Sequence, residues 1–116
     1  MKAALFAFNG DIVCFGHVLL NALDMKERGH EVTIIIEGSA TGLIKQYFEN
    51  PQETPFSSLY FQARDAGLIG CACKTCATKM GSKEMAEKQD IALCDEMSGH
   101  PSVARFLEEG YQVYTF

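Results

Sequence analysis

Three of the five cysteines in this chain lie within six residues, and they are Cys71, Cys73 and Cys76. Leu68–Cys73 is an apolar run of strand length, whereas Lys74–Met80 contains neither proline nor glycine and is typical of a short helix. Cys73 is therefore predicted to lie where a strand ends and a helix begins. Free backbone N–H groups and the helix dipole favour an anion there, which lowers the pKa of a thiol. We predict that Cys73 is a reactive thiolate.

Cys73 and Cys76 form a C-x-x-C motif. Residues three apart on a helix lie on the same side of it, so Cys76 is predicted to act as a resolving thiol for a nucleophile at Cys73. A zinc-type metal site is the alternative, because Cys71 and Cys73 are two apart on a strand and share a face. In that alternative the ligands are Cys71, Cys73 and Cys76, with His100 or Cys94 as a fourth.

Composition restricts the classes of protein to which the chain can belong. Its 116 residues, 47% of them hydrophobic, predict a single globular domain over residues 1–116. The net charge of −5 and the isoelectric point near 5.1 argue against nucleic acid and anionic membranes as partners. No apolar run is long enough to span a bilayer. We therefore predict neither a nucleic-acid partner nor a membrane partner.

The N-terminal segment and the cysteine count predict a cytoplasmic protein. The first apolar run, Ala3–Phe8, is short for the core of a signal peptide and is closed by a turn. Thiols stay reduced in the cytoplasm, so clustered cysteines there are expected to be catalytic or metal-binding and not structural disulfides. Cys14 and Cys94 stand alone, and we predict that they are buried as small hydrophobic side chains.

The order of predicted elements indicates an α/β fold. Ala3–Phe8 is apolar on both faces, Ile12–Arg28 has a helical apolar stripe, and Glu31–Ile36 is rich in β-branched residues. Further helices are predicted over Thr41–Glu49, Ser57–Ala66, Lys74–Met80, Ser82–Lys88 and Pro101–Glu109, and further strands over Leu68–Cys73, Ile91–Cys94 and Tyr111–Phe116. We predict an open, mostly parallel, flavodoxin-like sheet of five strands with helices on both faces and the last strand at an edge.

In open parallel sheets, ligands bind outside the carboxyl ends of the strands. Four loops are predicted to meet at that edge: 9–11, 37–41, 73–75 and 97–100. Their side chains supply the predicted substrate-binding residues, which are Asn9, Asp11, Lys74, Ser98 and His100, with Glu37 and Ser39 as neighbours. Neither a glycine-rich nucleotide loop nor a G-x-S-x-G elbow is present, so no cofactor is predicted.

Three stretches carry a resemblance to a known family. They are Ala3–Phe8 with the Asn9-Gly10-Asp11 turn, the strand–Cys73–helix–Gly81 block, and the C-terminal stretch from Ser98 to Phe116. Together they cover the whole chain, which resembles the DsrE-like family of small sulfur-carrier and sulfurtransferase proteins. Two features depart from that family's pattern: lysine and methionine precede Gly81 where an arginine is common, and three cysteines stand where many relatives have one.

The resemblance implies a function and partners. It implies that Cys73 carries a sulfane sulfur as a persulfide and passes it to a thiol of a partner. The implied partners are sulfur donor and acceptor proteins, or small sulfane-sulfur compounds. It also implies that the chain forms a homo-oligomer.

Overall fold

The computed structural model describes all residues from 1 to 116. Five strands form one sheet: β1 (Lys2–Ala7), β2 (Glu31–Ile36), β3 (Ile69–Cys73), β4 (Leu93–Cys94) and β5 (Gln112–Thr115). Six helices connect them: α1 (Ile12–Glu27), α2 (Gly42–Glu49), α3 (Ser57–Asp65), α4 (Lys74–Lys79), α5 (Lys83–Lys88) and α6 (Val103–Glu108). A 3-10 turn, Gly38–Thr41, precedes α2.

All neighbouring strands are parallel, in the order β4-β3-β2-β1-β5. The predicted α/β class, the five strands and the edge position of the last strand are thereby confirmed. The largest difference is at β4, which was predicted to begin at Ile91 but has only two residues. The backbone N–H of Ile91 donates to the carbonyl of Ala86, so this residue still belongs to the turn that ends α5.

The two faces of the sheet are covered unequally. On one face, a core cluster of 20 buried residues joins the strands to α1, α2, α3 and α5. On the other face, a cluster of six buried residues lies beneath α6, whose Phe106 packs edge-to-face on Phe6 at 5.5 Å between ring centroids. No helix of the structure is both long and apolar enough to cross a membrane. The fold therefore has helices on both faces, but α6 alone covers the second.

A β-bulge at Gly70 decides which way the cysteines of β3 point. Ile34 pairs with Ile69 and Ile35 pairs with Cys71, so Gly70 is an extra residue in β3. Without a bulge, residues 69 and 71 share a face, but here Ile69 packs against the larger cluster and Cys71 belongs to the smaller one. The bulge therefore directs Cys71 to the face that α6 covers.

Replacing Gly70 by alanine is expected to destabilise the fold. A Cβ at this position would lie 2.1 Å from Oγ1 of Thr33 on the neighbouring strand, so either the Thr33 side chain or one strand must move. We expect a loss of about 1–3 kcal/mol in the free energy of unfolding, as for other overpacked sites, measured by urea denaturation. Gly42→Ala is the matched control, because its added Cβ meets only the flexible end of Met80. Equal free energies of unfolding for Gly70→Ala and Gly42→Ala would contradict the close approach of Gly70 to Thr33 at the bulge.

Cys71 and Cys94 form a disulfide that joins β3 to β4, with their Cα atoms 5.7 Å apart. The expectation that the clustered cysteines are not structural disulfides was therefore wrong for Cys71. The predicted burial of Cys94 is confirmed, but Cys94 is bonded to Cys71 and does not stand alone. The physical reason is that the bulge and the parallel pairing of two adjacent strands bring both side chains to one face.

Candidate functional site

Cys73 caps the helix that follows it. It is the last residue of β3, has an extended backbone, and its Sγ accepts a hydrogen bond from the backbone N–H of Cys76 at 3.4 Å. The sulfur thus takes the place that a serine or aspartate oxygen usually has at an N-cap. Cys73 is fully buried, whereas Cys76, one turn into α4, is only partly buried. The strand-to-helix junction predicted from the sequence is therefore confirmed.

A tight hairpin between β4 and α6 brings a histidine to this junction. Met97 and His100 exchange two backbone hydrogen bonds, of 2.8 and 3.0 Å. The two residues between them, Ser98 and Gly99, both have positive φ, at 52° and 85°. That conformation is required of a two-residue turn whose twist matches its strands. Sequence reasoning treated this segment as a plain loop, although its Ser-Gly dipeptide is a turn signal.

The hairpin is fixed against the first turn of α4. The backbone N–H of Thr75 donates to the carbonyl of Gly99 at 3.1 Å, and Oγ1 of Thr75 donates to the carbonyl of Ser98 at 3.4 Å. A Cβ on Gly99 would lie 2.0 Å from Oγ1 of Thr75, so only glycine allows this approach. The contact between Thr75 and Gly99 therefore determines where His100 lies.

Two thiols and one imidazole meet at this point. Nδ1 of His100 lies 3.0 Å from Sγ of Cys73 and 3.9 Å from Sγ of Cys76, and the three atoms all lie within 4.8 Å of one another. Sγ of Cys73 also lies 3.5 Å from the carbonyl oxygen of Gly99. The cluster Cys73–Cys76–His100 can hold and exchange protons, form a disulfide, or bind a soft metal ion.

Burial controls the charge of Cys73. It raises the pKa of the Cys73 thiol to about 11, although the backbone N–H of Cys76 favours the thiolate. The prediction of a lowered pKa was therefore wrong. The helix α4 has only six residues, and the N–H of Thr75 is already bonded to Gly99, so few N–H groups remain to stabilise an anion.

Glu37 brings a buried carboxyl group to the site. It follows β2, is 8% exposed, and acts electrostatically on both His100 and Cys73. Burial raises the pKa of the Glu37 carboxyl, and the nearby His100 lowers it. Sequence reasoning named Glu37 only as a neighbour of the site, because its position after a strand was the only available signal.

Four of the predicted substrate-binding residues form hydrogen bonds or ion pairs outside the cluster Cys73–Cys76–His100. The Asp11 carboxylate caps α1 by accepting from two backbone N–H groups, and the Asn9 side chain accepts from the N–H of Asp11. Lys74 forms an exposed ion pair with Asp95, at 3.2 Å. Ser98 contributes its backbone carbonyl to the contact with Thr75. Of the predicted residues, the structure brings together Cys73, Cys76 and His100.

The remaining cysteines lie outside the cluster. Cys71 is bonded to Cys94, so the alternative metal site of Cys71, Cys73 and Cys76 is not assembled. Cys14 is free and exposed on α1, with Nδ2 of Asn9 3.7 Å from its sulfur. The prediction that Cys14 is buried was therefore wrong, since it lies on the polar side of its helix.

The alanine variant of Gly99 is expected to displace His100. Its Cβ would lie 2.0 Å from Oγ1 of Thr75, so the Thr75 side chain or the hairpin must move. We expect the hairpin to move away from α4 and to expose Cys73. We expect iodoacetamide to alkylate Cys73 at least roughly 10-fold faster than in the parent, because opening the hairpin removes the burial that protects the thiol. The matched control is Gly110→Ala, which has the same positive φ but open space around the added Cβ. If both variants accelerate the alkylation of Cys73 equally, backbone strain explains the effect and the role of the hairpin is contradicted.

Comparison with known proteins gives relatives and a shared fold. No family model matches the chain. It is 32% identical over 97 residues to the uncharacterized protein MJ0733 of Methanocaldococcus jannaschii, which covers 84% of this chain and 75% of that protein. An uncharacterized protein of Archaeoglobus fulgidus is 44% identical over 48 residues, covering 41% of this chain and 79% of the relative.

A solved structure shares the architecture. It is that of BT1422 from Bacteroides thetaiotaomicron, a conserved protein of unknown function, with a TM-score of 0.71 and 17% sequence identity. The match covers 99% of this chain and 94% of that one. At this level of identity, the likeness shows the fold.

Proposed function

This chain belongs to the family of the archaeal protein MJ0733, and we propose that it is a small cytoplasmic sulfur carrier of the sulfurtransferase type. It takes a sulfane sulfur as a persulfide on Cys73 and relays it to a partner thiol, with Cys76 as the resolving thiol. The observation that carries the proposal is the cluster of two free thiols and one imidazole nitrogen within 4.8 Å. The same function is what the resemblance of the sequence motifs to DsrE-like sulfur carriers implies.

His100 is the proton carrier of this mechanism. A buried thiol with a raised pKa keeps its proton at neutral pH, so it attacks sulfur only if a base lies within hydrogen-bond reach. Nδ1 of His100 lies 3.0 Å from Sγ of Cys73, within the range of such a proton transfer. His100 therefore takes the proton of Cys73 as Cys73 attacks, and returns it to the leaving thiolate.

The exposure of the two thiols determines the order of transfer. Cys76 is partly exposed and meets a donor persulfide first. Its sulfur attacks the outer sulfur of the donor; the donor S–S bond breaks, and the donor leaves as a thiol with the Cys76 proton. Cys73 then attacks the outer sulfur of the Cys76 persulfide, across a gap below 4.8 Å, and Cys76 leaves as a thiol. Neither exchange changes the number of electrons.

Release follows one of two routes. A partner thiol takes the outer sulfur by the reverse of these exchanges, through Cys76. Without a partner, Cys76 attacks the inner sulfur of the Cys73 persulfide slowly, because that sulfur is fully buried, so the persulfide is retained before this release. The S–S bond then breaks, a Cys73–Cys76 disulfide forms, and the outer sulfur leaves as hydrogen sulfide, so that two thiols are oxidised and one sulfane sulfur is reduced.

Intact-protein mass spectrometry tests the proposal. The full chain is exposed to a sulfane-sulfur donor such as a small persulfide, and the addition of one sulfur atom is measured in the parent and in each single cysteine variant. The expected product is one retained sulfur per chain, located on Cys73 by peptide mapping. The sulfur donor and acceptor partners and the homo-oligomer stay predictions from the resemblance.

A further inference from the structure

The cluster Cys73–Cys76–His100 has the dimensions of a zinc site. Zinc bonds of about 2.3 Å to sulfur and about 2.0–2.1 Å to nitrogen place a sulfur and a nitrogen ligand roughly 3.6 Å apart in tetrahedral geometry. The two sulfur–nitrogen distances here, 3.0 and 3.9 Å, lie on either side of that value. Tetrahedral zinc also places its two sulfur ligands roughly 3.8 Å apart. The sulfurs of Cys73 and Cys76 lie within 4.8 Å of each other, so shifts of roughly half an ångström to one ångström would seat an ion between the three atoms.

The ligand atoms are free for a metal and of the type that zinc prefers. Cys73 and Cys76 are outside the disulfide, and their sulfurs and the His100 nitrogen make an S₂N donor set. Thiolate and imidazole ligands favour zinc and other soft or borderline ions over magnesium or calcium, which require oxygen ligands. The composition of the cluster thus indicates Zn²⁺.

Three different elements hold the ligands in place. Cys73 ends β3, Cys76 lies on α4, and His100 closes the hairpin that is bonded to Thr75. Because these supports are joined by backbone hydrogen bonds, little ordering is needed when an ion binds. Glu37 lies near the cluster without belonging to it.

We propose that Cys73, Cys76 and His100 bind one Zn²⁺ ion per chain and leave its fourth coordination position open. Binding releases the protons of the two thiols, and the ion then bonds two thiolates and Nδ1 of the imidazole. Three protein ligands with one open position are the arrangement of zinc sites that take up water or an exogenous ligand. The site requires no sulfur donor, so metal binding can be tested without sulfur transfer, but an ion bonded to both thiolates prevents them from attacking sulfur, and the metal-bound and sulfur-carrying states therefore exclude each other.

A metal titration tests the site. The full chain, produced without a polyhistidine tag and with its Cys71–Cys94 disulfide intact, is treated with a chelator and titrated with Co²⁺ and then Zn²⁺. We expect one Co²⁺ per chain, a thiolate-to-cobalt charge-transfer band, and displacement of the cobalt by Zn²⁺. Cys73→Ser and Cys76→Ser are each expected to remove about half of the band and to weaken binding more than roughly 100-fold, since outer partners alone account for 10–100-fold.

The His100→Gln variant tests whether the His100 imidazole binds the ion or only lies near it. It is expected to keep the intensity of the charge-transfer band, because both thiolates remain, but to weaken binding at least roughly 10-fold. Cys14→Ser is the control and should bind like the parent. If Cys73→Ser does not fold, as judged by circular dichroism, Cys76→Ser carries the test. Absence of the band, or binding unchanged by Cys76→Ser or by His100→Gln, would overturn the site.

Discussion

Replacing Cys73 by serine is expected to abolish the retained persulfide. In the parent, the sulfur that reaches Cys73 is buried and should survive a subsequent treatment with glutathione, which strips exposed persulfides. In Cys73→Ser only the exposed Cys14 and the partly exposed Cys76 can accept sulfur, and their adducts are lost in the same treatment. We expect the retained adduct to fall by at least roughly 10-fold, since a thiol exchanges faster when it is accessible. The measurement is intact mass before and after glutathione.

Two further variants make this result specific. Cys14→Ser removes the other free cysteine, which is exposed on α1, and should retain the parent level of persulfide. Cys76→Ser removes the first acceptor and the resolving thiol together, so loading should be slow and no sulfide should be released. An undiminished glutathione-resistant adduct in Cys73→Ser would exclude Cys73 as the carrier.

Alkylation in the metal-free, reduced protein is expected to reach Cys76 long before Cys73. Burial blocks iodoacetamide from Cys73 and raises its pKa from the usual 9.0 to about 11. A rise of two pKa units lowers the thiolate fraction at neutral pH roughly 100-fold. The labelling rate of Cys73 should therefore stay low at neutral pH and increase as the pH approaches 11, as read by peptide mass spectrometry.

The same shift has a consequence for stability. The folded protein holds the Cys73 proton more tightly than the unfolded chain does. The protonated thiol therefore adds to the free energy of unfolding, and this addition is complete below about pH 9. It is lost as the pH rises toward 11, so the unfolding midpoint in urea should fall over that window.

Protein unfolded in urea is the control for the alkylation experiment, because there both cysteines should label alike. Faster labelling of Cys73 than of Cys76 in the folded protein would contradict the burial and would exchange the order of the two thiols.

The local pattern of the sequence determined most of the fold. Apolar runs such as Ala3–Ala7 and the helical stripe of α1 are set by side-chain periodicity, which neighbours in the chain define. The same holds for the junction at Cys73 and for the one-sided spacing of Cys73 and Cys76. Since parallel strands end at one edge, the sequence also placed His100 near this junction.

Tertiary structure alone decided the chemistry of the cysteines. The bulge at Gly70 changes the face of the sheet to which the side chains after it point, so that Cys71 can form a disulfide with Cys94. No spacing rule within one strand can show this. Burial of Cys73 raises its pKa against the effect of the helix terminus, because desolvation depends on what the remainder of the chain packs around the sulfur. The contact of His100 with both thiols likewise depends on the approach of Gly99 to Thr75, two residues 24 positions apart that meet only in the folded chain.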